Sequence, residues 1–195
     1  FRPRLRFCMK PARLQEILRS ASAKRILVVG DLMLDEFVWG KVGRISPEAP
    51  VPVVEVTGEN AYPGGSANVA RNLREFVDRA SVVGLLGSDR GGRQLRQLLE
   101  DDSIDTTSAI EDATFSTIVK TRIIARQQQV VRVDRERIKA PTPEQVTQVA
   151  ASVRARLPEL DAIILEDYGK GFLNSDLVSQ ISELAHVAGK IVTVD

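Results

Sequence analysis

Residues 26–31, Ile26-Leu27-Val28-Val29-Gly30-Asp31, form a short apolar run that ends in glycine and aspartate. Such a run is typical of a strand that is buried on both faces of a parallel sheet. Similar runs follow along the chain and alternate with segments of helical spacing, which predicts an α/β fold with helices on both faces of the sheet. The further strands are Ser81–Leu86, Asp161–Leu165 and Lys190–Asp195, and the helices are Ser66–Phe76, Arg93–Leu99, Pro143–Leu157 and Asp176–Ala188.

Two regions, Glu36–Val56 and Ser116–Asp134, interrupt this alternation. Both are rich in β-branched residues and predict extra strands, and the second surrounds the polar tip Arg126-Gln127-Gln128-Gln129. The prolines around Val51–Val56 favour an edge strand or a small separate sheet, because proline has no N–H to donate. The sequence therefore predicts a layered α/β core that carries a small β lid.

The composition is that of an ordinary globular chain, since 43% of the 195 residues are hydrophobic and 27% are charged. The formal net charge is +1, so bulk electrostatics favours no nucleic acid or membrane as a partner. No apolar run approaches the roughly 18 residues of a membrane span. We therefore expect a cytoplasmic protein with a small-molecule ligand.

The first 24 residues form a basic leader in which Glu16 is the only acid. A nucleic-acid arm or a targeting peptide would explain the charge, but the leader lacks an apolar central region and a small-residue cleavage site. We interpret it as a short amphipathic lead-in helix before the main domain at residues 25–195. Met9 is a natural start, which makes residues 1–8 a candidate for translated upstream sequence.

Cys8 and His186 are the only cysteine and the only histidine of the chain. A single cysteine supports neither an internal disulfide nor a zinc knuckle. His186 lies in a helical pattern and is interpreted as a surface or helix-end residue, so a Ser-His-Asp triad has no support. The sequence predicts no metal-ligating residues.

The first candidate site is the stretch Gly30-Asp31-Leu32-Met33-Leu34-Asp35. Ligands of open α/β sheets bind beyond the carboxyl ends of the strands. An acid at that place can accept hydrogen bonds from sugar hydroxyl groups, and a carboxylate with two free oxygens suits a vicinal diol. The alternative is a loop acid that caps a helix or faces water.

The second candidate site is the turn Pro63-Gly64-Gly65-Ser66-Ala67-Asn68, which leads into a helix. Gly64 and Gly65 let a ligand approach the backbone closely, and Asn68 can both donate and accept hydrogen bonds. An ordinary loop-to-helix turn with a serine cap is the alternative. The chain contains neither a GxGxxG nor a Walker A sequence, which disfavours a Rossmann dehydrogenase or a P-loop protein.

Two further candidate sites contain positively charged side chains. The stretch Glu166-Asp167-Tyr168-Gly169-Lys170-Gly171 again follows a strand, and its Asp167 and Lys170 could position a phosphorylated substrate. On the second lid region, Lys120, Arg122 and Arg126 alternate toward one face and could reach a sugar phosphate. An incidental ion pair in a solvated loop and a solvated strand face are the respective alternatives.

Taken together, these motifs resemble the heptose-7-phosphate kinases of the PfkB/ribokinase family. The stretch of residues 44–54 is the most specific part of the resemblance, which covers about Arg25 to Asp195. Ser66 departs from it, since the family usually has alanine or glycine there. The motifs are Gly30–Asp35, Arg44-Ile45-Ser46-Pro47-Glu48-Ala49-Pro50-Val51-Pro52-Val53-Val54, Pro63–Ala70, Gln128–Asp134 and Asp167–Gly171.

The resemblance implies a ribokinase-like, Rossmann-like core with a β lid that closes over the sugar and often forms a homodimer contact. It implies ATP-dependent phosphorylation of D-glycero-β-D-manno-heptose 7-phosphate to the 1,7-bisphosphate, in ADP-heptose and lipopolysaccharide core biosynthesis. By position, Asp35 matches the acid that binds sugar hydroxyls. The expected substrate-binding residues are Asp35, Gly64, Gly65, Asn68, Arg126, Asp167 and Lys170.

The family's catalytic aspartate lies in a Gly-Ala-Gly-Asp segment that is expected beyond Asp195. The loop for ATP and the residues associated with Mg²⁺ are expected there too, and in many relatives an adenylyltransferase domain follows. We therefore expect an inactive N-terminal fragment that lacks the C-terminal half of the core. A kinase for another sugar, and a non-catalytic sugar-binding or dimerisation module, remain the alternatives.

Overall fold

The structure of the protein is a computed structural model that describes residues 10–195. The helices are α1 (Pro11–Ser22), α2 (Ser66–Arg74), α3 (Arg90–Asp101), α4 (Pro143–Arg156) and α5 (Ser175–Val187), and a 3-10 turn covers Leu157–Glu159. The strands are β1 (Arg25–Gly30), β2 (Leu32–Ile45), β3 (Pro52–Gly65), β4 (Arg79–Val83), β5 (Leu85–Gly87), β6 (Ile110–Asp112), β7 (Ile118–Ala125), β8 (Gln128–Arg135), β9 (Ala162–Glu166) and β10 (Ile191–Val194).

The core is a four-stranded parallel sheet in the order β10-β9-β1-β4. Strand β1 lies inside it, where Val28 pairs with Val82 of β4 on one side and with Ile164 of β9 on the other. Because β1 is flanked by strands and covered by helices, almost every one of its residues is apolar. The predicted parallel sheet is confirmed.

Successive residues of β1 face opposite sides of the sheet and enter two separate apolar cores. Leu27 and Val29 pack on the side of α4 and α5, among residues that include Val149 and Ile181. Val28 packs on the side of α2 and α3. Fully burying a side chain of this size stabilises the fold by roughly 1.5–3 kcal/mol. Helices thus cover both faces, as the sequence predicts.

Four strands form a second sheet, the lid, in the order β3-β2-β7-β8. Strand β2 runs antiparallel to β3 and parallel to β7. The segment Val51–Val56 contributes to the edge strand β3, which confirms the prediction from its prolines. At the tip between β7 and β8, only Arg126 and Gln127 form the turn, with φ angles of 50° and 71°. The predicted four-residue tip is therefore too long, because Gln128 and Gln129 already belong to β8.

The predicted strand Ser81–Leu86 is wrong as a single element. The chain leaves the core sheet after Val83, and Leu85–Gly87 pairs instead with β6 in a separate two-stranded sheet. Gly84 lies at the break, where a Cβ would approach the carbonyl oxygen of Gly30 at 2.5 Å. Strand β6 has three residues, Ile-Glu-Asp, and such a short segment gives no periodic signal in the sequence.

The remaining predictions concern residues near the two ends of the chain. Helix α1 forms within the basic leader and buries none of its residues, and Cys8 lies outside the described residues. His186 is exposed in the last turn of α5, as predicted. Within residues 10–195, no helix combines the length and the apolar character that crossing a membrane requires.

Gly30 offers a test of how tightly the core closes at the end of β1. A Cβ at this position would overlap the carbonyl oxygen of Glu166 and the hydroxyl oxygen of Ser66. We expect Gly30→Ala to destabilise the full-length protein by about 1–3 kcal/mol, measured by urea unfolding. Gly58→Ala is the matched control, because a Cβ there meets nothing within 4 Å. Equal stability of the two variants would contradict the close approach.

Candidate functional site

The candidate site lies where the core sheet passes into the lid. Asp31 alone separates the end of β1 from the start of β2, so the core strand continues almost directly into the lid strand. The alternative of a loop acid does not apply to Asp35, because residues 32–35 begin β2 and pair with residues 62–65 of β3. Asp35 is consequently fixed on a strand.

Asp31 is a buried carboxylate, with 2% of the residue exposed. Its Oδ2 accepts the backbone N–H groups of Tyr168 at 3.1 Å and Lys170 at 3.0 Å, and its Oδ1 accepts that of Phe172 at 3.1 Å. Burial raises the pKa of Asp31, although the three N–H groups oppose this effect. Asp31 thereby holds the loop that follows β9 against the end of β1.

The loop after β9 can turn around Asp31 because two glycines adopt left-handed conformations. Gly169 has a φ of 69° and Gly171 a φ of 94°. These values carry little cost only for glycine and let the N–H groups of residues 168, 170 and 172 converge on one carboxylate. The sequence interpretation noticed the Gly30–Asp35 motif but missed this role of Asp31. An aspartate directly after a buried strand was the available signal.

Asp35 projects from β2 and forms an ion pair across the lid. Its Oδ1 lies 2.6 Å from Nη1 of Arg122 on β7, and 23% of each side chain is exposed. Gly64 is a diagonal neighbour on β3, where a Cβ would approach Oδ2 of Asp35 at 2.7 Å. The guanidinium carbon of Arg122 also stacks 5.3 Å from the ring centre of Phe37. The missing side chain of Gly64 thus leaves room for the carboxylate.

The glycine turn leads into α2 beside the same carboxylates. Gly65 has a φ of 56° and precedes Ser66, whose N–H donates to the carbonyl oxygen of Asp31 at 3.0 Å. The Ser66 hydroxyl donates to the carbonyl oxygen of Glu166 at 3.3 Å. Asn68 follows in the first turn of α2, and its half-buried side chain makes no hydrogen bond to residues 10–195. Its amide therefore has donors and an acceptor available for a ligand.

The loop after β9 presents two of the predicted residues. Asp167 is exposed and accepts the N–H of Gly169 at 2.8 Å. Nζ of Lys170 lies 2.9 Å from Oε2 of Glu136, and 17% of the lysine side chain is exposed. Tyr168 lies between them, and burial together with the charges of Glu166, Asp195 and Asp35 raises its pKa.

Arg126 is not brought together with the other predicted residues. It is exposed at the turn between β7 and β8, one residue beyond Ala125, which pairs with Gly40 of β2. Arg126 lies six residues after Lys120, which pairs with Asp35. At roughly 3.3 Å per strand residue, Arg126 is therefore about 20 Å from Asp35. Arg122, which the sequence placed on the same lid face but which was not among the substrate-binding residues expected from the resemblance, takes the position beside Asp35 instead.

The polar groups at this junction suit a polyol with an anionic substituent. A carboxylate, a guanidinium, two ammonium groups and a free amide surround the glycine turn, contributed by Asp35, Arg122, Lys120, Lys170 and Asn68. Among residues 10–195, no group of three or more His, Cys, Asp or Glu side chains could hold a metal ion.

The sequence profile described as pfkB family carbohydrate kinase matches residues 23–195. The chain therefore belongs to the pfkB family. Among curated proteins, the bifunctional protein HldE of Desulfatibacillum aliphaticivorans is 40% identical over 174 residues, which are 89% of this chain and 36% of that protein. HldE of Helicobacter pylori strain J99 is 42% identical over 173 residues, or 88% of this chain and 37% of that protein. The chain thus spans little more than a third of these relatives.

Solved structures share the fold at low sequence identity. A carbohydrate kinase from Agrobacterium tumefaciens has a TM-score of 0.65 and 18% identity, covering 88% of this chain and 53% of that one. Phosphofructokinase-2 from Escherichia coli, in complex with fructose-6-phosphate, has a TM-score of 0.63 and 18% identity, covering 89% and 55%. These similarities establish the ribokinase-like α/β fold with its lid.

The role of Asp31 can be tested by a nearly isosteric substitution. Asp31→Asn places an NH₂ group against at least one of the three backbone N–H groups. We expect this variant of the full-length protein to lose about 1–3 kcal/mol of unfolding free energy and to become sensitive to proteolysis in residues 167–172. Asp167→Asn is the control, because an asparagine can still accept the N–H of Gly169. A stable, protease-resistant Asp31→Asn protein would contradict the anchoring role.

Proposed function

We propose that the full-length protein transfers a phosphoryl group from ATP to the C1 hydroxyl of D-glycero-β-D-manno-heptose 7-phosphate. The observation that carries this proposal is the position of Asp35, whose carboxylate lies against Gly64 and Arg122 at the entrance of the lid. The motif resemblance to heptose-7-phosphate kinases and the similarity to proteins named HldE support the choice of sugar. Mg²⁺ accompanies ATP in this proposal.

The residues of this chain act by binding and orienting the sugar. The carboxylate of Asp35 accepts hydrogen bonds from two neighbouring hydroxyl groups, and Arg122 holds it in place from one side. Asn68 donates and accepts at the start of α2. Asp167 and Lys170 complete the rim from the loop after β9. The catalytic aspartate and the ATP site are proposed to lie beyond Asp195, so residues 1–195 alone are expected to be inactive.

The position of Asp35 makes a direct prediction about turnover. In the full-length protein, Asp35→Asn is expected to lower kcat/KM for heptose 7-phosphate about 100-fold, because a charged acceptor of sugar hydroxyls is lost. The variant should still unfold cooperatively, because the amide oxygen of the new side chain can accept from Arg122 in place of the carboxylate. Glu55→Gln, an exposed acid on β3, is the control and should keep wild-type turnover.

Two alternatives would give other outcomes in the same assay. A kinase for another sugar would turn over fructose, ribose or a nucleoside in preference to heptose 7-phosphate. A non-catalytic sugar-binding or dimerisation module would turn over none of them while still folding cooperatively. Wild-type turnover of heptose 7-phosphate that survives Asp35→Asn would contradict the role of Asp35 but not the activity.

We further propose that the lid forms a homodimer contact. Trp39 and Tyr62 are 41% and 40% exposed, and Phe37 packs against both, with ring centres 6.1 and 5.7 Å away. An exposed aromatic cluster on a β-sheet is a favourable centre for an interface between two copies of the protein.

The dimer proposal predicts the effect of one charged substitution. Trp39→Glu should weaken self-association of the full-length protein at least 30-fold, because interface tryptophans often contribute 2 kcal/mol or more. Sedimentation at several protein concentrations measures this change. Phe76→Ser is the control, since Phe76 is 55% exposed but lies outside the lid. A monomeric wild type, or a dimer that tolerates Trp39→Glu, would contradict the lid contact.

A further inference from the structure

One carboxylate oxygen of Glu136 binds two ammonium groups from different layers of the protein. Its Oε2 lies 3.0 Å from Nζ of Lys120 on the lid strand β7 and 2.9 Å from Nζ of Lys170 on the loop after β9. The two nitrogens consequently lie within about 6 Å of each other, a spacing that one oxyanion can bridge. This pair of lysines is called the lysine clamp below.

The lysine clamp borders the proposed sugar site. Lys120 is the cross-strand neighbour of Asp35 in the β2–β7 pairing. The backbone N–H of Lys170 is fixed by Asp31, so the position of this lysine is set by the core. The two lysine side chains are only 13% and 17% exposed. Two cations shielded in this way require an anion between them, because unpaired buried charges are costly.

Glu136 is suited to give up this position. It follows β8 directly and belongs to an irregular segment, residues 136–142, which no helix or strand ladder holds in place. Its side chain is 30% exposed, more than either lysine. The ammonium groups of Lys170 and Lys120 lower its pKa, which shows that the position between them favours a negative charge.

The other charges around the clamp remain paired when Glu136 leaves. Lys120 keeps Asp134 at 3.2 Å, and Arg132 neutralises Asp134 from the other side at 2.9 Å. Lys170 would have no other acidic partner among residues 10–195. A phosphate monoester carries close to two negative charges and three acceptor oxygens, so it can engage both lysines more fully than one carboxylate oxygen does.

We propose that Lys120 and Lys170 bind the phosphate group of the sugar phosphate, and that Glu136 occupies this position until the substrate displaces it. The proposal rests on the proposed sugar-kinase function and names the residues that distinguish a phosphorylated from an unphosphorylated sugar. In this proposal the phosphate of the substrate replaces Glu136 as the group that links strand β7 to the loop after β9.

The first test uses inorganic phosphate and the full-length protein, so it does not depend on turnover. Glu136→Gln keeps the shape of the side chain but removes the competing charge. We expect calorimetry to show phosphate binding at least threefold tighter than in the wild type. Lys170→Met and, separately, Lys120→Met should weaken it about tenfold. Lys10→Met is the control and should match the wild type, because Lys10 is exposed and lies directly before α1.

The second test compares KM values for heptose 7-phosphate and for the unphosphorylated heptose. Lys170→Met should raise the first about tenfold and the second less than twofold. Equal rises would show that the lysine supports the loop rather than the phosphate, and would overturn the proposal. Unchanged or weaker phosphate binding by a stably folded Glu136→Gln protein would overturn it as well. Absence of kinase activity in the wild type would reject the proposed function. The calorimetry would still show whether the lysine clamp binds phosphate.

Discussion

The buried carboxylate of Asp31 and the three backbone N–H groups that it accepts are the constraint from which the site is built. The contact joins the end of β1 to the loop after β9, two segments that are more than 130 residues apart in the chain. Because Asp31 is also the only residue between β1 and β2, the same contact fixes where the lid leaves the core. Both the lid residue Asp35 and the loop residue Lys170 depend on it for their positions.

Glycine residues allow the groups around the junction of the core and the lid to approach one another closely. Gly30 allows the carbonyl of Glu166 and the hydroxyl of Ser66 to approach the end of β1, and Gly64 leaves room for the carboxylate of Asp35. Ser66, which departs from the residue usual in the family, adds a hydrogen bond across this junction to Glu166. The glycine turn therefore serves the packing of the protein itself, in addition to the ligand approach that the sequence predicts.

The sequence predicted those features that depend on local pattern. The apolar run before Asp31 identified a buried parallel strand, and prolines near Val51 identified an edge strand, because both signals come from a few neighbouring residues. The parallel pairing of β2 with β7 brings Arg122 to Asp35 across 87 positions of the chain, and no local pattern encodes it. Strand alternation placed Arg122 and Arg126 on one face of the lid, but only Arg126 entered the list of expected substrate-binding residues, since alternation does not indicate where a turn begins.

The charges of the site are already paired within the protein, and this changes how a substrate is recognised. Asp35 holds Arg122, and Glu136 holds both Lys120 and Lys170, so the proposed binding of a sugar phosphate would exchange one set of partners for another. Only the difference between the two sets contributes to affinity, because desolvation of these groups is largely complete before the ligand arrives. A neutral sugar cannot replace the carboxylate between two lysines, whereas a sugar phosphate can. An internal anion of this kind therefore favours selectivity for phosphorylated substrates over strong binding of any sugar.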